Sequence, residues 1–369
     1  MKKIIFKNIS TDILAFFITS MFSLGSIIWV LQAVNYLDIM VEDGHGIAIY
    51  LYYTVLSLPK ILSKILPFVL FFSFFYVFIK YENNNELLIF WNIGISKKKF
   101  FSFFIKFSLL FVLIQLILNV FLVPSTQSNA RLKIKNSNVD LFEGIIKEKK
   151  FIDTFVNLTM YIERKNNGIL EYIYLKDNST NQITFARSGE FELRSNEKIL
   201  VLKDGITISK NNKQVSNIEF KKTDFNISKF TSKSTSSPKT QENSTIDLLN
   251  CIYEAELTGD YLNFTNCRSA NKKNIIEELY KRILLPLYLP SFTLIALMLI
   301  IKSKEEKSYN EYKLFIFLLG VLFIIFSEIS IKFIKFNLNE NIVILFLPFL
   351  IFLILYLIFS SQIKFKRNL

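Results

Sequence analysis

Long apolar stretches fall in two groups of three along the chain: Ile13–Val34, Leu58–Ile79 and Phe100–Leu122, then Ile283–Ile301, Leu314–Phe333 and Ile342–Ser360. A bilayer core needs roughly 20 mainly apolar residues per helical crossing, and every stretch approaches or exceeds that length. Between the two groups the period of the pattern changes. From Phe151 to Ile227 apolar and polar residues alternate in short runs: Leu158–Arg164, Leu170–Lys176, Gln182–Leu193, Ile199–Leu202, Ile206–Lys210 and Val215–Phe225. Alternation of period two marks half-buried strands, and Asn167-Gly168, Asp204-Gly205 and Asn211-Asn212 read as the turns between them. Strands this short and this closely spaced predict an antiparallel barrel or a two-sheet jelly roll, with apolar residues turned inward. The chain therefore divides into residues 1–123 with helices one to three and a loop at 81–99, an all-β insertion at 124–275, and residues 276–369 with helices four to six. Within the insertion, Ser228–Ser244 reads as a Ser/Thr/Lys-rich linker. Ile246–Glu256 and Lys273–Arg282 then read as helices, the second running into span four.

Charge supplies the orientation. The 369 residues carry a net charge of +13, and 51% are hydrophobic, 39 of them Phe. Lysines gather at alternate span ends: Lys2, Lys3 and Lys7 before span one, Lys80 and Lys97–Lys99 between spans two and three, Lys302, Lys304, Lys307 and Lys313 between spans four and five, and Lys364, Lys366 and Arg367 at the end. The loop after span one carries Asp38, Glu42 and Asp43 instead. By the positive-inside bias both termini are cytoplasmic and the insertion is exported. The first apolar run is long and lacks a small-residue cleavage site, so it reads as an uncleaved anchor. No basic stripe interleaved with stacking aromatics lies on a soluble face, which argues against a nucleic-acid partner. Two cysteines, Cys251 and Cys267, fall on the exported side, where a disulfide is allowed. A disulfide between them and two free thiols are both compatible with the sequence.

Chemistry of the catalytic kind finds no support. The chain has no phosphate-binding GxxxxGK[ST] loop, no HExxH, no GxSxG elbow and no Gly-rich dinucleotide turn. Two cysteines without clustered histidines make no zinc site, and no cofactor is implied. The single histidine, His45, reads as a solvated loop residue. Energy for uphill work has to come from a partner.

Two other features invite a functional reading. The inner loop Tyr81–Ser96 contains a short amphipathic stretch, Glu86–Trp91, closed by Gly94. One reading is an interfacial helix that rests its aromatics in the headgroups. The other is a coupling helix that docks on a cytosolic ATPase, with Glu86 as its ionic contact. At the outer end, Lys60 and Lys64 stand one turn apart in span two, Lys281 and Arg282 open span four, and Lys332 and Lys335 close span five. Charges at membrane depth are costly and face partners, cavities or headgroups. Snorkelling accounts for any one of them alone, whereas all six together suit an anionic lipid headgroup.

With these residues in view, the chain resembles the LptF/LptG family of lipopolysaccharide export permeases. The resemblance rests on Leu58-Pro59 and Leu66-Pro67 in span two, Glu86-Leu87 and Gly94-Ile95-Ser96 in the loop, Pro124 after span three, and Glu278, Lys281-Arg282 and Pro286 entering span four. It covers nearly the whole chain, and its general run is more like the F-type member than the G-type. Two positions depart from the family pattern. Gln32-Ala33-Val34-Asn35-Tyr36 lacks the basic residue often found after span one, and Asn83-Asn84-Asn85 replaces a Ser/Asp-rich run. The resemblance implies an α-helical membrane protein with six transmembrane helices (3 + 3) and an inserted periplasmic all-β jelly-roll-like domain. It also implies location in the bacterial inner membrane and partnership with a homologous LptG-type permease, an LptB-type ATPase dimer, an LptC-type single-span protein and an LptA-type periplasmic bridge. The cargo is lipopolysaccharide, taken from the outer leaflet of the inner membrane. Carried over from the family, Glu86, Leu87 and Phe90 are the expected ATPase contacts.

Two other classes fit the layout less well. A membrane-anchored scaffold or sensor for envelope assembly normally carries a sizeable cytoplasmic output domain, which none of the inner loops supplies. A membrane enzyme needs a clustered nucleophile, base or metal ligand set that the sequence does not contain.

Overall fold

The structure is a computed structural model and describes residues 2–37, 46–136, 148–155, 157–166, 168–194, 197–211, 214–227, 239–257, 267, 271–335 and 341–367. His45 and most of the linker lie outside them. The chain forms two compact units, one of Met1–Val30, Ser57–Gln127 and Lys239–Leu369, the other of Leu31–Leu56 and Ser128–Pro238.

The first unit is a helical bundle, and among the described residues six helical segments are long and apolar enough to cross a membrane. Span one is α1 (Lys2–Asn35). Span two is broken into α2 (Ile47–Leu56) and α3 (Leu58–Asn83) at Ser57, where Pro59 restarts the helix in its first turn. Proline is tolerated there because the first N–H groups of a helix have no internal partner. A short α4 (Glu86–Asn92) leads to span three, α5 (Lys97–Ile117). Span three does not stop at Pro124 as its sequence implied. A π-turn at Leu118–Leu122 hands the chain to α6 (Val123–Asn136), so the proline again falls at the start of a helical segment rather than ending one.

After the β insertion, α7 (Thr245–Leu257) precedes span four, which is α8 (Lys272–Leu287) and α9 (Leu289–Leu297) ending in a 3₁₀ turn. Pro286 and Pro290 mark the joint between α8 and α9. Spans five and six are α10 (Tyr309–Ser330) and α11 (Ile342–Arg367).

Phenylalanine fills the bundle. Phe104 meets Phe100 at 4.7 Å, Phe78 at 5.4 Å and Phe74 at 6.0 Å between ring centroids. The rings meet tilted or edge-on, as their quadrupoles favour. Gly320 of α10 lies against the Phe71 ring, and a Cβ there would stand 2.0 Å from Cζ. Only glycine lets spans two and five approach so closely.

The second unit holds one antiparallel sheet of six strands in sequential order: β1 (Phe151–Phe155), β2 (Leu158–Asn166), β3 (Ile169–Asp177), β4 (Gln182–Arg194), β5 (Glu197–Asn211) and β6 (Gln214–Asn226). The order is a meander, and the described pairings contain no crossover of the kind that joins the two sheets of a jelly roll. Asp204-Gly205, expected as a turn, lies within a continuous β5. Gly205 is needed there because a Cβ would stand 2.3 Å from the Phe185 carbonyl oxygen.

Pairing is interrupted along one row that crosses the sheet: Glu163, Tyr172, Arg187, Asp204 and Lys221 are all skipped, while the register on either side is unchanged. Tyr172 and Asp204 on this row take left-handed φ values of 51° and 50°. The row is a crease. It shifts the in–out alternation by one position, so that Leu170 and Ile173 of β3 are both buried. The core gathers Met160, Ile162, Ile173 and Leu175 from one side of the crease and Leu170, Leu200 and Leu202 from the other. A single creased sheet thus encloses the apolar interior that the sequence pattern assigned to an antiparallel barrel or a two-sheet jelly roll.

Candidate functional site

At one end of the bundle, spans two, three, four and five converge on a cationic cleft. Lys60 and Lys64 share a face of α3 because residues four apart stack on a helix. Lys281 joins them from α8, and the three line a recess of about 50 Å³ together with Ser63, Gln115, Asn119, Glu278 and Glu328. A wider cleft of about 410 Å³ adjoins it, lined by Lys239, Lys281, Lys332, Glu277, Glu278 and Glu328 among others. Lys60 stands within electrostatic reach of Lys64, Lys239, Lys281 and Glu242.

Two of the acids in this region are already engaged. Glu277 pairs with Lys273 at 3.7 Å and Glu278 with Arg282 at 3.2 Å. No ion pair of Glu328 occurs among the described residues. Like charges drawn together are unfavourable unless anions stand among them, and the Glu278 and Glu328 carboxylates are two such anions.

Five of the six basic residues singled out from sequence, Lys60, Lys64, Lys281, Arg282 and Lys332, line this connected region. Arg282 is mostly engaged within the chain. Its side chain is 3% exposed. Its guanidinium donates to Glu278 Oε1, to Thr245 Oγ1 at 2.8 Å, and to the carbonyl oxygens of Gln241 and Asn243 at 3.2 and 3.1 Å. The fork is thus largely occupied. Arg282 holds the segment before α7 onto span four, and Thr245 carries the connection on to the Val120 carbonyl of the π-turn. Lys335 is not brought into the cleft; its backbone N–H and carbonyl oxygen are both bound by the Asn341 side chain. Cys251 and Cys267 are joined by a disulfide, and the pair packs with Leu248, Ile275 and Leu279. This contact ties α7 to α8 beside the Arg282 clasp.

At the opposite end of the bundle lies α4. Asn85, with φ 61°, turns the chain into it, and Gly94, with φ 81°, turns the chain out. Both are left-handed positions that Asn and Gly adopt most readily. Trp91 stacks edge-on against Phe100 at 5.4 Å, and the Lys97 ammonium donates to the Ile300 carbonyl oxygen at 2.8 Å. In the loop between spans four and five, the Lys304 N–H donates to Glu82 Oε1 at 2.9 Å. The two loops at this end are thus bound to each other. Leu87 and Phe90 stand three apart on the face turned into the bundle, where Leu87 is 1% exposed and Phe90 meets Tyr81. They anchor α4 to the bundle. The residues left facing outward are Leu88 and Ile89, with Glu86 half-buried beside them and accepting from Asn84 Nδ2 at 3.1 Å.

Sequence reasoning missed Lys239, Glu328, Gln115 and Asn119. A signal existed for the last three, each a polar residue inside an apolar run. Lys239 belongs to a polar linker, where nothing distinguishes it.

Six apolar spanning helices interrupted by an antiparallel β insertion define a multi-pass helical membrane protein. Residues 8–362 match the family described as the lipopolysaccharide export system permease LptF/LptG. The chain belongs to that family. It is also 24% identical, over 199 residues, to an uncharacterized protein of Rickettsia prowazekii (strain Madrid E), covering 53% of this chain and 55% of that protein. The chain thus spans about half the length of the curated relative it matches.

Proposed function

We propose that this chain is the F-type permease subunit of an exporter that lifts lipopolysaccharide out of the outer leaflet of the inner membrane and passes it to a periplasmic bridge. It works beside a homologous G-type permease, with an LptC-type single-span protein, an LptB-type ATPase dimer and an LptA-type bridge. Both termini and α4 face the cytoplasm, and the creased sheet lies in the periplasm. The observation that carries this reading is the convergence of Lys60, Lys64, Lys281 and Lys332 on one cleft at the end of the bundle opposite α4. Lipopolysaccharide headgroups are phosphorylated, and clustered ammonium groups in a partly dehydrated cleft give phosphates charge-assisted hydrogen bonds. Force enters at the other end. Because Phe90 meets Tyr81 of span two and Trp91 meets Phe100 of span three, a push on the outward face of α4 through Glu86, Leu88 and Ile89 reaches the bundle directly.

The decisive experiment places a photo-crosslinking residue at Glu328 and measures labelling by lipopolysaccharide in membranes. Lys60→Glu with Lys64→Glu is expected to abolish most of the crosslink. Wild-type labelling in that double variant would sink the headgroup role and leave snorkelling as the explanation. At the other end, Leu88→Asp with Ile89→Asp is expected to release the ATPase on purification. Undiminished co-purification together with undiminished transport would remove the coupling role.

A further inference from the structure

Span three carries two amides, Gln115 and Asn119, one turn apart in an otherwise apolar stretch. Gln115 is 1% exposed and Asn119 9%. Their placement begins with a proline. Pro67 of span two has no N–H, so the Ser63 carbonyl one turn earlier lacks its helical donor. Gln115 Nε2 reaches that carbonyl at 3.4 Å, and the Ser63 hydroxyl donates to Asn119 Oδ1. These contacts settle which way the Gln115 amide points. Its nitrogen faces span two, and its Oε1 is buried with no hydrogen-bond partner among the described residues. A buried acceptor left unmet is costly, and in native proteins it calls for a ligand or a water. Asn119 lies in the π-turn, and such turns inside helices occur frequently at functional sites.

Gln115 also lines the recess of about 50 Å³ beside Lys60, Lys64 and Lys281. The recess is lined by three lysines, and one of its lining residues, Gln115, carries a buried acceptor that has no donor. The complementary ligand carries a phosphate and, next to it, a hydroxyl.

We propose that Gln115 Oε1 is an acceptor subsite that takes one hydrogen bond from a sugar hydroxyl beside the phosphate held by Lys60, Lys64 and Lys281. The inference rests on the headgroup reading above and adds a discriminating element to it. The lysines attract any anionic lipid, whereas Gln115 separates a phosphorylated sugar lipid from a glycerophospholipid whose phosphate has no neighbouring hydroxyl. A site built to hydrogen-bond a hydroxyl rejects an analogue lacking it, because its own buried group then stays unpaired.

The test uses the full chain with its co-purifying partners in phosphatidylcholine nanodiscs and measures binding of two probes, bis-phosphorylated lipid A and dioleoylphosphatidic acid. Gln115→Met is expected to weaken lipid A binding about tenfold, the effect of one hydrogen bond, and to leave phosphatidic acid binding unchanged. Gln115→Asn, which keeps an amide on span three but withdraws it from the recess, is expected to show the same selective loss in smaller measure. Equal losses for both lipids, or undiminished lipid A binding, in both variants overturn the proposal. Lys60→Gln with Lys64→Gln provides the separate control and is expected to weaken both probes. If it weakens neither, the headgroup reading itself fails, a result distinct from failure at Gln115.

Discussion

Spans four and six obey opposite rules of burial. Span six is the most apolar of the six, yet only 11% of its central stretch is buried in the protein; in span four the figure is 83%. In water this order would be reversed. Within a bilayer the lipid tails are as apolar as leucine, so moving a leucine from lipid to protein gains little. Apolar composition therefore tracks the surface that faces tails or a partner helix. The central helix is the one that carries groups needing protein around them. In span four these are Ser291 and Thr293, both 0% exposed, and Arg282 at 2%. Small residues let α9 lie against spans two, three, five and six at once. The cleft forms where that central helix emerges at the end carrying Lys281.

This contrast predicts a graded set of outcomes for stability measured by thermal unfolding in detergent. Arg282→Met has the largest expected effect, since it strands Glu278, Thr245 and two carbonyl oxygens that the guanidinium serves. Removing one partner of a buried pair costs about 3–5 kcal/mol. A loss below about 1 kcal/mol would show that the segment before α7 is held by the disulfide alone. Leu294→Ala on span four comes next. Leu294 is 0% exposed, and the cavity left in the bundle is expected to cost about 2 kcal/mol. Gly320→Ala is expected to cost about 1–3 kcal/mol by overpacking against Phe71, with partial recovery in combination with Phe71→Leu. Leu353→Ala on span six, at 57% exposure, is expected to change stability by less than about 0.5 kcal/mol. A large loss there would mean that span six contacts a tightly held partner in the purified state.

The smallest effect is expected in the sheet, at the end of β3. Burial pushes the Asp177 carboxyl up, but hydrogen bonds from Ser179 and Thr180 outweigh it and hold the group below its ordinary value of 3.8. The Ser179 N–H donates at 2.8 Å. A folded-state pKa below the unfolded one makes a contribution that is complete above the unfolded value and is lost as pH falls through the folded value. Asp177→Asn is therefore expected to loosen the turn slightly at pH 7, read as faster amide exchange at Ser179. The variant and the parent are expected to converge well below pH 3.8.

The six spans and most of the strands were legible in the sequence because they follow from periodicity, which each segment displays without its neighbours. The Glu278–Arg282 pair was legible in principle, standing one turn apart. What the pair does was not, because the guanidinium's other partners, Gln241, Asn243 and Thr245, lie far from it in sequence. The same holds for α4. Its amphipathic pattern was visible, but which face is buried depended on Tyr81 meeting Phe90 and on Phe100 of span three meeting Trp91. Asp204-Gly205 misled because it is a strong turn signal locally, and only the Phe185 carbonyl across the strand explains why glycine is required within a continuous strand.

Hydrophobic length and charge placement by themselves determined that this is a six-span membrane protein with an inserted β domain, because a bilayer imposes length and composition on each crossing separately. Tertiary structure alone decided which of six basic residues share a cleft, that Arg282 is a clasp, and that the Gln115 side-chain oxygen is buried without a donor beside that cleft. Those outcomes depend on hydrogen bonds and packing between residues distant in the chain, and no local pattern encodes where such partners meet.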